Sequence, residues 1–150
     1  MAAGAWKVMN KAKKKIATGT MDLSDTTGWR LALVKTLGAT PYAVSLLGSF
    51  TQVASGNGYS SSGKALTSEI VTISAAGTSG TYKFDVADLT FAATGGAITS
   101  IKGAVIYQSG ASAGACHALC FSTLTATQFT LAQSNTLTIA MNAAGVFILY

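Results

Sequence analysis

The chain has 150 residues and a formal net charge of +5, yet only 10% of its residues are charged, against about 25% in ordinary soluble domains. This length predicts one domain with one core, and no apolar run approaches the roughly 20 residues of a membrane-spanning helix. Small apolar residues precede the first lysines, the reverse of the order in a secretory signal peptide, so we expect synthesis in a cytoplasm.

The charge is concentrated at the N-terminus, because five lysines precede the first acidic residue. The spacing of Trp6, Met9 and Ile16 predicts a helix over residues 6–17, and Gly19 is typical of a helix stop. We therefore divide the chain into a basic helical arm, residues 1–20, and a β-sandwich domain, residues 21–150. Two interpretations of the arm stay open: a packed terminal helix with a solvated basic face, or an anchor that binds an acidic surface.

The rest of the chain is dominated by strand patterns separated by turn residues. The clearest strand covers residues 29–36, where apolar side chains alternate, and Pro41 can open a short helical piece. Further strands are predicted at 50–54, 64–74, 82–86, 89–91, 98–108, 115–123, 129–134, 137–141 and 146–150, with turns at 22–28, 55–63, 75–80, 95–96, 109–114 and 142–145. Roughly eight to ten short strands indicate a mainly β fold, an antiparallel β-sandwich or partly open barrel, with a short N-terminal helix.

Catalytic patterns are missing from this sequence. His117 is the single histidine, and no nucleophile-elbow pattern lies near it. Asp85 and Asp88 would face opposite sides of a strand, so we interpret them as turn-forming residues. The glycine-rich stretch 55–63 leads into a strand and not a helix, which argues against a phosphate loop. We therefore expect that the protein is not an enzyme and that it binds no cofactor.

The two cysteines, Cys116 and Cys120, are too few for a disulfide scaffold. On a regular strand they would share one face about 13 Å apart, whereas an intramolecular bridge needs Cα atoms within about 7 Å. His117 would point to the other face, and zinc requires about four converging ligands. We therefore expect buried thiols and no metal site, and leave open a disulfide between neighbouring copies.

Several segments of this chain follow one another in a distinctive order. After the helix come DLSDT at 22–26, the strand at 29–36, GNGY at 56–59, GKAL at 63–66, FDVADLTF at 84–91, GAVIY at 103–107 and NAAGVFIL at 142–149. This order resembles that of small structural proteins in the virions of tailed bacteriophages. The likeness runs over most of the chain, but the dense lysine cluster and the pair Cys116 and Cys120 depart from it.

The resemblance implies a capsid decoration, or cement, protein: a β-rich protein that binds the outside of the assembled head and stabilises it. Its partners would be the major capsid protein and other copies of itself, and its location the capsid surface of the virion. The alternative is a tail or fibre component that contacts the host surface. An exposed Tyr59 on the glycine- and serine-rich stretch 55–63, which we call the Gly/Ser loop, would then meet a glycan.

We expect attachment to the capsid through the N-terminal segment. Trp6, Met9 and Ile16 would be the apolar anchors, since such anchors usually dominate an interface. The lysines would be rim charges that meet an acidic capsid surface: Lys7, Lys11, Lys13, Lys14 and Lys15. Because they are not interleaved with aromatic residues and no basic stripe continues in the body, we predict no nucleic-acid partner.

Overall fold

The computed structural model describes residues 4–24, 28–67, 70–74, 81–110, 115–141 and 145–149. One α-helix, α1 (Asn10–Ala17), and two 3-10 turns, Pro41–Ala43 and Leu47–Ser49, accompany the strands in these ranges. The strands are β1 Lys7–Val8, β2 Trp29–Thr36, β3 Thr51–Gln52, β4 Lys64–Ala65, β5 Ile70–Ser74, β6 Thr81–Asp85, β7 Leu89–Ala92, β8 Ile98–Ile101, β9 Gly103–Gln108, β10 His117–Thr123, β11 Phe129–Leu131, β12 Thr136–Ile139 and β13 Phe147–Leu149.

All the strand pairs are antiparallel. The main sheet has the order β1-β10-β9-β2-β3, and β4 pairs with β2 beside β3. Two further pairs, β11-β8 and β12-β7, and a three-stranded sheet, β13-β6-β5, complete the described strands, which do not close into a barrel. The prediction of a mainly β, antiparallel fold with a short N-terminal helix is therefore confirmed.

The centre of the core lies at β2 and β9 of the main sheet. Four consecutive residues of β2, from Leu31 to Val34, are 0% exposed. Because successive side chains of a strand point to opposite faces, both faces of the sheet are covered here. The Trp29 ring packs edge-on against Phe84 of β6, at 5.5 Å between ring centroids, and Phe84 stacks on Phe147 of β13. These rings join the main sheet to the three-stranded sheet.

The N-terminal segment differs from the helix predicted over residues 6–17, since α1 begins at Asn10. Lys7 and Val8 instead form β1 against β10, and the Met9 N–H donates to the carbonyl of Leu119 at 3.0 Å. The edge of β10 offers unpaired backbone groups, and pairing with them outweighs the helical periodicity. The stop at Gly19 is confirmed, because its φ of +69° lies in the left-handed region and its N–H donates to Ile16.

The strand predicted over 98–108 is also divided in two. Ser100 adopts a φ of +62°, and the chain leaves strand geometry at Lys102, whose N–H donates to the carbonyl of Val34. The first part, β8, pairs with β11, whereas the second part, β9, pairs with β2 and β10. The segment predicted as one strand over 64–74 likewise supplies β4 to the main sheet and β5 to the three-stranded sheet.

The turn predicted at 75–80, and parts of those at 22–28, 109–114 and 142–145, lie outside the described residues. Of the helices that the structure describes, none has the length and apolar character needed to cross a bilayer.

Candidate functional site

The exposed lysines of β1 and α1 form a surface that is fixed to the body of the protein. We call Lys7, Lys11, Lys13 and Lys14 the lysine surface, and all four side chains are exposed. On the other side of the same segment, Met9 is 0% exposed and Ala12 is 1% exposed, both within the core. The backbone pairing of β1 with β10 adds a second attachment. The lysine surface is therefore presented on a packed scaffold and not on a loose arm.

The charge of the lysine surface is not cancelled by ion pairs with the described carboxylates. None of its four lysines forms an ion pair with a described carboxylate, whereas Lys83 and Asp85 in β6 do, at 2.8 Å. Lys14 and Lys15 lie in the last turn of α1, where positive charge interacts favourably with the helix dipole. The surface therefore presents a positive potential to the solvent.

An exposed aromatic ring lies beside the lysine surface. Tyr42, in the first 3-10 turn, is 41% exposed, and its ring packs edge-on against Phe121 of β10 at 5.2 Å. The Lys7 Nζ lies 6.0 Å from the centroid of the Tyr42 ring, within cation–π range. The sequence pattern does not single out Tyr42 as an exposed ring beside the lysines. The sequence hints at the exposure of Tyr42 through its position directly after Pro41, because a short helical piece cannot bury all of its side chains.

The three predicted apolar anchors hold the segment to the body. Met9 is fully buried, and Trp6 and Ile16 are half-buried and pack against the core. A side chain inside the core cannot contact a partner, so Met9 has no part in the surface described above. The Trp6 Nε1–H is buried and has no hydrogen-bond partner among the described residues.

Lys15 is directed to His117 and not to the solvent-facing lysines. Its Nζ lies 2.6 Å from the Nδ1 of His117, which joins α1 to β10. Burial, followed by the positive charge of Lys15, lowers the pKa of His117, and burial followed by the charge of Lys11 lowers the pKa of Lys15. The neutral imidazole can accept a hydrogen bond from the ammonium group, whereas the protonated ring cannot.

Tyr59 lies inside the protein and not on the loop surface. It is 5% exposed, and its hydroxyl accepts a hydrogen bond from the backbone N–H of Leu33 at 2.9 Å. Burial raises the pKa of Tyr59 to about 12. Its ring also packs at 5.9 Å from Phe91 of β7. Tyr59 therefore connects the Gly/Ser loop to two strands, and its ring is not displayed to a glycan.

No family model, curated protein or solved structure matches the chain.

The cysteines and acidic residues have structural positions. Cys116 and Cys120 are both buried thiols, as expected, and burial raises the pKa of Cys120 well above its usual value. Asp85 accepts a hydrogen bond from the N–H of Val86, and Asp88 accepts one from the N–H of Met141. Within the described ranges, no three His, Cys, Asp or Glu side chains come together as a metal site would require.

Proposed function

We propose that this protein is a non-catalytic structural component that attaches to an acidic protein surface through the lysine surface, as a decoration protein of a tailed-bacteriophage capsid. The single observation that carries the proposal is the exposed lysine surface, which has no ion-pair partner among the described carboxylates and lies on a segment buried in the core.

The lysine surface is suited to binding because the backbone that carries it is already ordered before a partner binds. The backbone of β1 is fixed by β10, and α1 is held through Met9 and Ala12. Association then costs mainly the ordering of lysine side chains, and a pre-formed surface loses less entropy than a flexible tail. The lysines would steer encounter with an acidic surface, and the exposed ring of Tyr42 would supply apolar contact area.

A capsid as the partner is supported by the resemblance of the residue order to small virion proteins and by the low charge of the body. Residues 16–150 contain five basic and five acidic side chains, so the body is close to neutral. Such a surface is suited to close contact with neighbouring copies. Each bound copy would stabilise the shell by mass action, because it binds only the assembled state.

Cosedimentation with tail-less, DNA-filled heads that lack this protein tests the proposal. We expect saturable binding at several copies per capsomer and its loss at high salt, since ion pairs at a surface are screened. Failure of the folded protein to sediment with the heads at low salt would contradict the proposal.

A further inference from the structure

A titratable contact lies directly beside the lysine surface. Lys15 is half-buried in the last turn of α1, and its Nζ lies 2.6 Å from the Nδ1 of His117 at the start of β10. His117 is the single histidine of the chain, and histidine is the side chain that ordinarily changes its charge between pH 5 and pH 8. The contact therefore connects the proton on this ring to the helix that carries most of the lysine surface.

The contact between Lys15 and His117 depends on a neutral imidazole. A neutral ring can accept a hydrogen bond from the ammonium group, and this bond holds the Lys15 side chain against the sheet. Protonation of the ring replaces the bond with two positive charges that repel each other. Burial, followed by the charge of Lys15, lowers the pKa of His117, so the change takes place below about pH 6.5.

The groups that face His117 from the neighbouring elements are positive or uncharged. Lys15 faces it from α1, and Lys11 of the same helix acts on Lys15 with a second positive charge. Gln108 of β9 lies opposite His117 in the sheet, and Leu46 forms a β-bridge with it on the other side. Neither of these two residues can form an ion pair with the protonated ring. Repulsion of Lys15 is therefore the main consequence of protonation.

Release of Lys15 requires only its side chain to move. The helix itself is fixed by Met9 and Ala12, which lie in the core, and by the pairing of β1 with β10. The freed ammonium group moves towards the solvent, where it is strongly hydrated. Lys15 follows Lys11 by four residues, a spacing that places two side chains next to each other on a helix. The freed side chain therefore extends the lysine surface.

We propose that His117 regulates attachment through the lysine surface, so that binding to an acidic partner strengthens as the pH falls below neutrality. With a neutral ring, Lys15 is held against β10. With a protonated ring, Lys15 turns to the solvent, and the ring adds a further positive charge beside α1. The inference rests on the proposed function, in which the lysine surface is the attachment site. Carboxylates of the partner stay largely ionised down to about pH 5, because their ordinary pKa values lie near 4.

NMR titration of the His117 ring tests the contact itself. We expect the ring to take up its proton at a higher pH in Lys15→Gln than in the wild type, because the repelling charge is gone. Lys13→Gln is the matched control, since it removes the same charge from an exposed position of α1 and should change the titration less. Equal titration in the wild type and Lys15→Gln, or equal changes in the two variants, would overturn the inference.

Binding to dextran sulfate tests the regulation without a capsid, because its sulfate groups keep their charge between pH 5 and pH 8. At constant ionic strength, we expect the wild type to bind at least about threefold more tightly at pH 5.0 than at pH 7.5, on the scale of one added exposed ion pair. His117→Gln should bind with similar affinity at both pH values, and circular dichroism shows whether both proteins are folded at pH 5.0.

Equal affinities of the wild type at the two pH values, no binding at pH 5.0, or the same increase in His117→Gln would each refute the regulation. Failure of the folded protein to sediment with heads at either pH contradicts the proposed function and leaves the dextran sulfate result unchanged. Sedimentation with heads that does not vary with pH contradicts the inference alone, so the two proposals fail separately.

Discussion

The hydroxyl oxygen of Tyr59 lies 2.9 Å from the backbone nitrogen of Leu33 and 3.3 Å from its carbonyl oxygen. β3 and β4 pair with the same edge of β2, at Val34 and Thr36 and at Arg30 and Leu31 respectively. The hydroxyl therefore fills the gap between two short strands and satisfies a buried N–H that no strand residue reaches. This contact also fixes the Gly/Ser loop to the main sheet.

Removing the hydroxyl should destabilise the protein. We expect Tyr59→Phe to lower the free energy of unfolding by about 1–3 kcal/mol, because it leaves the buried N–H of Leu33 unpaired. Urea denaturation measures the difference. Tyr42→Phe, at a residue that is 41% exposed, is the control and should change stability by no more than about 0.5 kcal/mol. Similar effects of the two substitutions would show that the Leu33 contact is not formed.

The same residue should give an alkaline titration signal. Burial raises the pKa of Tyr59 to about 12, above its ordinary value of about 10. The burial of the neutral Tyr59 side chain stabilises the folded state fully below pH 10. This contribution is lost as the pH rises from about 10 to about 12, because the unfolded chain loses the phenol proton first. Ultraviolet titration should show a phenolate that forms near pH 12 in the wild type and is missing in Tyr59→Phe. Identical titration curves would contradict this assignment.

His117 should make stability depend on pH below neutrality. Its pKa is lowered in the folded state, so the unfolded chain binds the proton first as the pH falls through about 6.5. Stability should therefore decrease from pH 7 towards pH 5, as the favourable contact with Lys15 becomes a repulsion. Urea denaturation across this range should show a flatter dependence in His117→Gln. Parallel curves for the wild type and the variant would rule out His117 as the cause.

Gly63 should be sensitive to substitution for a reason beyond its backbone angle. Its φ is +66°, and an added Cβ would meet the carbonyl of Leu31 in β2. Gly38 is the matched control, because its φ is +71° and an added Cβ would meet nothing within 4 Å. We expect Gly38→Ala to cost about 1–2 kcal/mol for the left-handed conformation alone, and Gly63→Ala to cost clearly more in thermal or urea unfolding. Equal costs would contradict the close approach of the loop to β2.

The sequence predicts an element correctly where its local hydrophobic pattern and its tertiary contacts favour the same secondary structure. The alternation of apolar side chains predicts β2 with its observed bounds, although the structure buries both faces of this strand and not one. The helix start was wrong because backbone pairing of Lys7 and Val8 with β10 depends on a strand more than 100 residues away in the chain. The local sign of the break between β8 and β9 is Gly103, which stands inside the predicted strand, but the positive φ of Ser100 has no counterpart in the local sequence.

The candidate surfaces were predicted only in part. The concentration of lysines is visible in the sequence, but the direction of each side chain is not, since Lys15 turns to His117 while Lys11, Lys13 and Lys14 stay exposed. Tyr59 was expected on the loop surface, yet it packs inward because an unpaired N–H of β2 and the ring of Phe91 lie within its reach.

The central claim, attachment through the lysine surface, is tested most directly by cosedimentation of two charge-matched triple variants with heads that lack this protein. One variant replaces Lys11, Lys13 and Lys14 of α1 with glutamine, and the other replaces Lys35, Lys64 and Lys102 of the body. We predict that the first loses at least about tenfold in affinity at low salt, whereas the second binds as the wild type does. Wild-type binding by the α1 variant, or an equal loss in the body variant, would contradict the account.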